Sequence, residues 1–139
     1  MKRRDFIRIA AASGVMAGVP MVVRAARMDY APGLVKKELA AGKTVFADFY
    51  APWCTTCRAQ SRVIDALRQA NPAYDENISF VTIDWDTYGN GDLANELQIP
   101  RRSTLVVLKG DKELGRVVAG TSKKAIKALL DTALAAATS

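Results

Sequence analysis

With 139 residues, half of them apolar, the chain can build one globular domain with a hydrophobic core and is too short for two. Its formal charge of +6 is lopsided: residues 1–25 carry Lys2, Arg3, Arg4, Arg8 and Arg24 against Asp5 alone, and the remaining 15 basic and 13 acidic residues net only +2. A nearly balanced domain argues against nucleic acid as a partner.

Residues 1–25 read as an export signal. A basic start leads into an apolar stretch, Ile9 to Val23, broken only by small residues and Pro20, and Val23-Arg24-Ala25 offers a small-residue cleavage site. The stretch is shorter than the roughly 20 residues of a spanning helix, so a cleaved signal is favoured over a permanent anchor. Arg3-Arg4-Asp5-Phe6-Ile7-Arg8 resembles the twin-arginine export motif. The expected compartment is the bacterial periplasm, where disulfide chemistry is open to thiols. Residues 26–139 are then the mature domain, with no stable insertion into a membrane.

That domain is expected to open with a loop over residues 28–33 and a short helix over 34–41, stopped by Gly42. Residues 44–50, TVFADFY, form a nearly continuous apolar run rich in β-formers, the pattern of a strand buried on both faces. After Pro52 the spacing turns helical, with Ala59, Val63, Ile64, Leu67 and Ala70 on one side, until Asn71-Pro72 ends it. Residues 78–84 form a second buried strand. Asp92 is expected to cap a short helix through Leu97. The segment from Asp84 to Asp92 has some likeness to a calcium loop. However, Tyr88 fills a ligand position and Asn95 stands where a glutamate is needed, so a strand-to-helix turn is the reading.

Residues 104–108 and 114–119 are expected to be strands of a hairpin. Thr121-Ser122 caps a last helix with Ile126, Leu129, Leu130 and Leu134 as its stripe. The first two long strands, joined by a helical crossover, should be parallel. The fold class is therefore α/β, a central mixed sheet flanked by helices.

The only cysteines, Cys54 and Cys57, lie in APWCTTCRAQ. Three readings are open for them. A zinc site would need four ligands, and without histidine or a third cysteine only carboxylates could complete it. A structural disulfide would close a tiny loop and remove little unfolded-state entropy. A redox pair has a physical basis. Cys54 falls where a strand ends and a helix begins, so free N–H groups and the helix dipole favour its thiolate. Cys57 sits one turn further in, within reach of a mixed disulfide on Cys54.

The segment VFADFYAPWCTTCRAQ is similar to the active site of the thioredoxin family, and the order of elements over about residues 34–135 is similar to that fold. Four features carry the resemblance: an aspartate within the preceding strand, a tryptophan before the first cysteine, the Cys-x-x-Cys pair, and a basic residue after it. The resemblance implies a thioredoxin-like fold and thiol–disulfide exchange on protein disulfides. Cys54 would attack, Cys57 would resolve, and Asp48 would be the buried acid–base group serving Cys57. Asp48 also interrupts an apolar strand, where a desolvated carboxyl should have a raised pKa. Trp53 is expected to contact the partner or fill the core. No cofactor beyond the Cys54–Cys57 disulfide, and no metal ligand, is implied.

Two departures from the family stand out. Thr55-Thr56 replaces its usual Gly-Pro, which restores an N–H and adds hydroxyls near Cys54, so a somewhat less reducing pair is expected. Strongly oxidising relatives carry a histidine there; this chain has none, and reduction or isomerisation is favoured. The family's cis-proline position holds Ser103, followed by Thr104. A cis bond before a non-proline residue costs about 2.5–4 kcal/mol, so the Arg102–Ser103 bond is expected to be trans or held strained. Arg102, Ser103 and Thr104 are the expected substrate-binding residues with Trp53; Arg101 and Arg102 either flank that groove or are solvated.

A serine in place of the proline ring is also expected to leave room beside the cysteines. Two subunits could then share four thiolates around a metal or iron–sulfur cluster. A redox-inert binding module is the third possibility. Compartment and family together imply a membrane thiol-transfer protein as electron donor.

Overall fold

The computed structural model describes residues 27–139; the expected export signal, its cleavage site and its twin-arginine motif lie outside the described residues. The elements are β1 (Met28–Asp29), α1 (Leu34–Ala40), β2 (Thr44–Tyr50), α2 (Thr55–Ala70), α3 (Ala73–Asn77), β3 (Ile78–Asp84), α4 (Trp85–Tyr88), α5 (Asp92–Glu96), β4 (Thr104–Lys109), β5 (Lys112–Val118) and α6 (Lys123–Ala137). They build one five-stranded sheet in the order β1-β3-β2-β4-β5. β2 takes the centre, as its apolar run requires. It pairs in parallel with β3, Phe46 opposite Phe80, and antiparallel with β4, Phe46 opposite Val107. The sheet is mixed, as expected.

Alternation along the strands sorts the core into two halves. Phe46, Phe80, Leu105 and Val107 face one side, where Ile64 and Leu67 of α2, Tyr74 of α3 and Ile126, Leu129 and Leu130 of α6 cover them. Val45, Ala47, Phe49, Val81, Ile83 and Val106 face the other, under Val35 of α1 and Leu93 and Ala94 of α5. Among the described residues no helix is long and apolar enough to cross a membrane.

Several local expectations are corrected. The expected loop over residues 28–33 begins with β1, whose Met28 and Asp29 pair with Val81 and Thr82; the outer edge of β3 would otherwise present unpaired backbone groups. Asp92 does not cap α5. Gly91 holds the cap position without a side-chain bond, and Asp92 lies in the first turn, where its charge suits the helix dipole. The last strand starts at Lys112 instead of 114, because Gly110 adopts φ +60° and tightens the hairpin. Ala70 is exposed, and the buried stripe of α2 is Cys57, Gln60, Ile64 and Leu67. The last helix begins as expected, Ser122 accepting the Ala125 N–H at 3.1 Å.

Candidate functional site

β2 delivers the chain to the sheet's edge, Ala51-Pro52-Trp53 turns it, and Cys54 caps α2. Cys54 has extended backbone (φ −87°, ψ 115°), and its sulfur accepts the Cys57 N–H at 3.2 Å. A sulfur thus occupies the place usually held by a Ser or Asp oxygen. Both cysteines are free thiols with 3 % and 0 % exposure.

Burial alone would push the Cys54 thiol up. Hydrogen bonds from the Cys57 thiol, the Ser103 hydroxyl, the Cys57 N–H and Arg102 outweigh it and bring Cys54 down to about 6. Cys57 moves the other way: burial raises it, the hydrogen bond to Cys54 and the charge there add to the rise, and hydrogen bonds with Ser103 and the Ala51 backbone only partly offset it. One thiol is set to ionise near neutrality and the other to keep its proton.

Ser103 stands against both sulfurs, its Oγ 3.2 Å from Cys54 Sγ and 3.0 Å from Cys57 Sγ. The expected room beside the cysteines is therefore filled by the hydroxyl. All described peptide bonds are trans, and the strain appears instead in φ, +63° at Ser103, a left-handed conformation that costs a non-glycine residue roughly 1–3 kcal/mol. Backbone bonds hold it there: its N–H donates to the Phe49 carbonyl at 2.8 Å, and its carbonyl accepts from the Ala119 N–H at 2.8 Å. Gln60 Nε2 donates to the same carbonyl and to that of Gly120, each at 2.9 Å.

Gln60 was missed by the sequence reading. The signal was its spacing, three residues after Cys57 and four before Ile64, which puts it on the buried stripe whatever its polarity.

Asp48 is buried in the half of the core under α2, with one carboxylate oxygen unpartnered. Desolvation raises its pKa to about 7; Arg27 opposes the rise, and Asp65 and Cys54 add to it. Arg27 is bonded to Asp65 at 2.5 Å. Arg27, Asp48, Ile64 and Phe80 help line a cavity of about 10 Å³, the scale of one water molecule.

On the surface, Trp53 is 55 % exposed, so it does not fill the core. Its indole N–H donates to Asp86 at 3.0 Å, and the Arg102 guanidinium lies 4.5 Å from its ring centre. The Trp53–Arg102 pair thus forms one face beside Cys54. Ser103 and Thr104 have no exposed surface, and the Thr104 hydroxyl donates to the Arg101 carbonyl at 2.7 Å. Among the described residues no three Cys, Asp or Glu side chains are placed to hold a metal ion.

A family model described as Thioredoxin matches residues 31–132. The chain belongs to the thioredoxin family. It is similar to thioredoxin of Porphyra purpurea, 32 % identical over 87 residues that cover 63 % of this chain and 77 % of that protein. It is also similar to thioredoxin-1 of Saccharomyces cerevisiae, 34 % identical over 89 residues, 64 % of this chain and 80 % of that one. Among solved structures, Trxlp of Edwardsiella tarda superposes with a TM-score of 0.65 at 26 % identity, over 75 % of this chain and 98 % of the other. The thioredoxin family exchanges thiols and disulfides with protein substrates and redox partners, and the Cys54–Cys57 pair equips this chain as a thiol–disulfide oxidoreductase.

Proposed function

We propose that the chain is an exported thioredoxin-like enzyme that reduces or isomerises protein disulfides in the bacterial periplasm. One observation supports the order of the exchange: the thiol capping α2 is the acidic one, about 6, while the thiol one turn behind it is pushed up. Cys54 attacks a substrate disulfide as thiolate and releases the first substrate sulfur. Cys57 then gives its proton to Asp48 and attacks the Cys54 sulfur, breaking the mixed disulfide. The electron pair leaves on the second substrate sulfur, and Cys54–Cys57 is oxidised. Two electrons have passed to the substrate.

Asp48 suits this role because a carboxyl with a pKa of about 7 can both take and return a proton at neutral pH. Substrate meets Trp53 and Arg102, the two members of the expected binding set with exposed surface. Ser103 and Thr104 shape the groove from beneath.

Residues 1–25 supply export by the twin-arginine route, and a membrane thiol-transfer protein returns the electrons. The buried positions of both sulfurs do not favour a cluster shared between subunits.

The test is a redox titration of tryptophan fluorescence in glutathione buffers on the full chain. A reversible two-electron transition between about −270 and −180 mV, the span from thioredoxin to disulfide isomerase, supports reduction or isomerisation. A midpoint near −120 mV would make the protein an oxidant, and no transition at all would make it an inert module.

A further inference from the structure

We propose that the Ser103 hydroxyl is a catalytic group of the dithiol, bridging the two sulfurs so that the charge stays on Cys54 until substrate has been attacked. The proposal rests on the thiol–disulfide exchange reading above and assigns a device within it.

Either atom can donate in each of the two Ser103 contacts, and with Cys54 ionised one of the possible arrangements satisfies all three atoms. A hydroxyl has one hydrogen to give and two lone pairs to accept with. With Cys54 as the thiolate, the Ser103 O–H donates to it at 3.2 Å, and the Cys57 S–H donates to Ser103 Oγ at 3.0 Å. The result is a short chain, S–H to O–H to S⁻, whose members strengthen one another inside a buried site. It adds a side-chain donor to the Cys57 N–H already on the Cys54 sulfur.

The chain also orders the two steps. When Cys54 forms the mixed disulfide its sulfur becomes neutral and the anionic end of the chain disappears. The hydroxyl is then no longer polarised towards Cys54, and the Cys57 proton is released to Asp48. Cys57 attacks, the new Cys54–Cys57 bond forms, the bond from Cys54 to substrate breaks, and the electron pair leaves on substrate sulfur. Ser103 ends the cycle with the hydrogen it began with.

A second observation points the same way. Ser103 keeps a left-handed φ of +63° in a wholly buried place, where glycine would be unstrained. Its backbone is tied by Phe49, Ala119 and the buried amide of Gln60. That framework aims a side chain at the sulfurs, and a serine there supplies a hydroxyl that touches both.

The groups that face the pair are Cys57 on its own helix, Arg102 beside Ser103, and Asp48 and Tyr50 on β2. Arg27 and Asp65 stand behind Asp48. All of them are retained in the test variants, Ser103→Ala and Ser103→Gly. Both delete the hydroxyl, but only glycine relieves the backbone.

The experiment is the pH dependence of Cys54 alkylation by iodoacetamide in the reduced full chain, with Cys57 alkylation followed separately by mass spectrometry. A charge-assisted hydrogen bond supports a rise in the Cys54 midpoint of about one to two pH units in both variants, with the ionised fraction of Cys54 at pH 7 falling about twofold to tenfold. A wild-type midpoint in Ser103→Gly, or in both variants, overturns the proposal, because the hydroxyl would then not matter. Alkylation needs no turnover. A wild-type chain that fails the redox titration but shows the shift in its variants therefore discards the exchange reading and keeps the hydrogen-bonded device.

Discussion

The two faces of β2 are built differently. Val45, Ala47 and Phe49 point to one side, into a cluster with Val35, Val81, Ile83, Leu93 and Val106. Thr44, Phe46, Asp48 and Tyr50 point to the other, where α2 brings in Gln60 and the two cysteines. Buried polar atoms without a partner gather on this second side: the Thr44 hydroxyl, one Asp48 oxygen, the Gln60 amide oxygen and Ser61 on α2. Each such atom costs about 1–3 kcal/mol. The strand thus keeps one face for stability and accepts poorly satisfied groups on the face that carries the chemistry.

The strongest break in this comparison is Cys54→Ser. Loss of the attacking sulfur is expected to lower reduction of a protein disulfide by more than about a thousandfold, while thermal unfolding changes little. Disulfide-reduction assay and melting curve read the two effects separately.

On the apolar face the reverse holds. Ile83→Ala should lower stability by about 2–5 kcal/mol in denaturant titration, and leave the alkylation midpoint of Cys54 where it was.

Asp48→Asn sharpens the comparison through pH. The folded carboxyl has a pKa of about 7, above its unfolded value, so the folded state binds the proton more tightly. Its contribution to stability is fully present below pH 4 and is lost as pH rises towards 7. Replacing it should stabilise the protein at pH 8 relative to pH 4 by up to about 4 kcal/mol, seen as the difference between wild-type and variant unfolding curves. The same variant should slow resolution of a mixed disulfide. A stability difference independent of pH would show that folding leaves the Asp48 pKa where it stands in the unfolded chain.

The smallest effect is expected at the rim. Removing the ring in Trp53→Ala takes away the surface under Arg102, worth about 0.5–1 kcal/mol. A few-fold rise in KM for a protein disulfide with kcat nearly unchanged would fit substrate contact; an unchanged KM would remove Trp53 from the binding face.

Much of this was legible in the sequence because it is local. The run TVFADFY gives a doubly buried strand by composition, and Asp48 stands out there as a polar residue in an apolar run. The strand-to-helix change at Cys54 places the thiol on a helix N-terminus. What was not legible joins distant residues. Arg27 and Asp65 are 38 positions apart and meet over Asp48; Ser103 and Cys57 are 46 apart.

Ser103 and Thr104 were expected to meet substrate by their place at the family's cis-proline position, and the fold buries both side chains. The αL backbone and the Gln60 clamp that aim Ser103 at the sulfurs have no signature in neighbouring residue types. β1 was too short, at two residues, to leave an alternating pattern.

The central claim is that the two thiols are chemically unequal, and site-resolved alkylation of the reduced wild-type chain across pH 4–10 tests it most directly. The expected result is a Cys54 midpoint near 6, with Cys57 titrating above the ordinary thiol range. Equal rates at both cysteines, rising together at the pH of a free thiol, would contradict it.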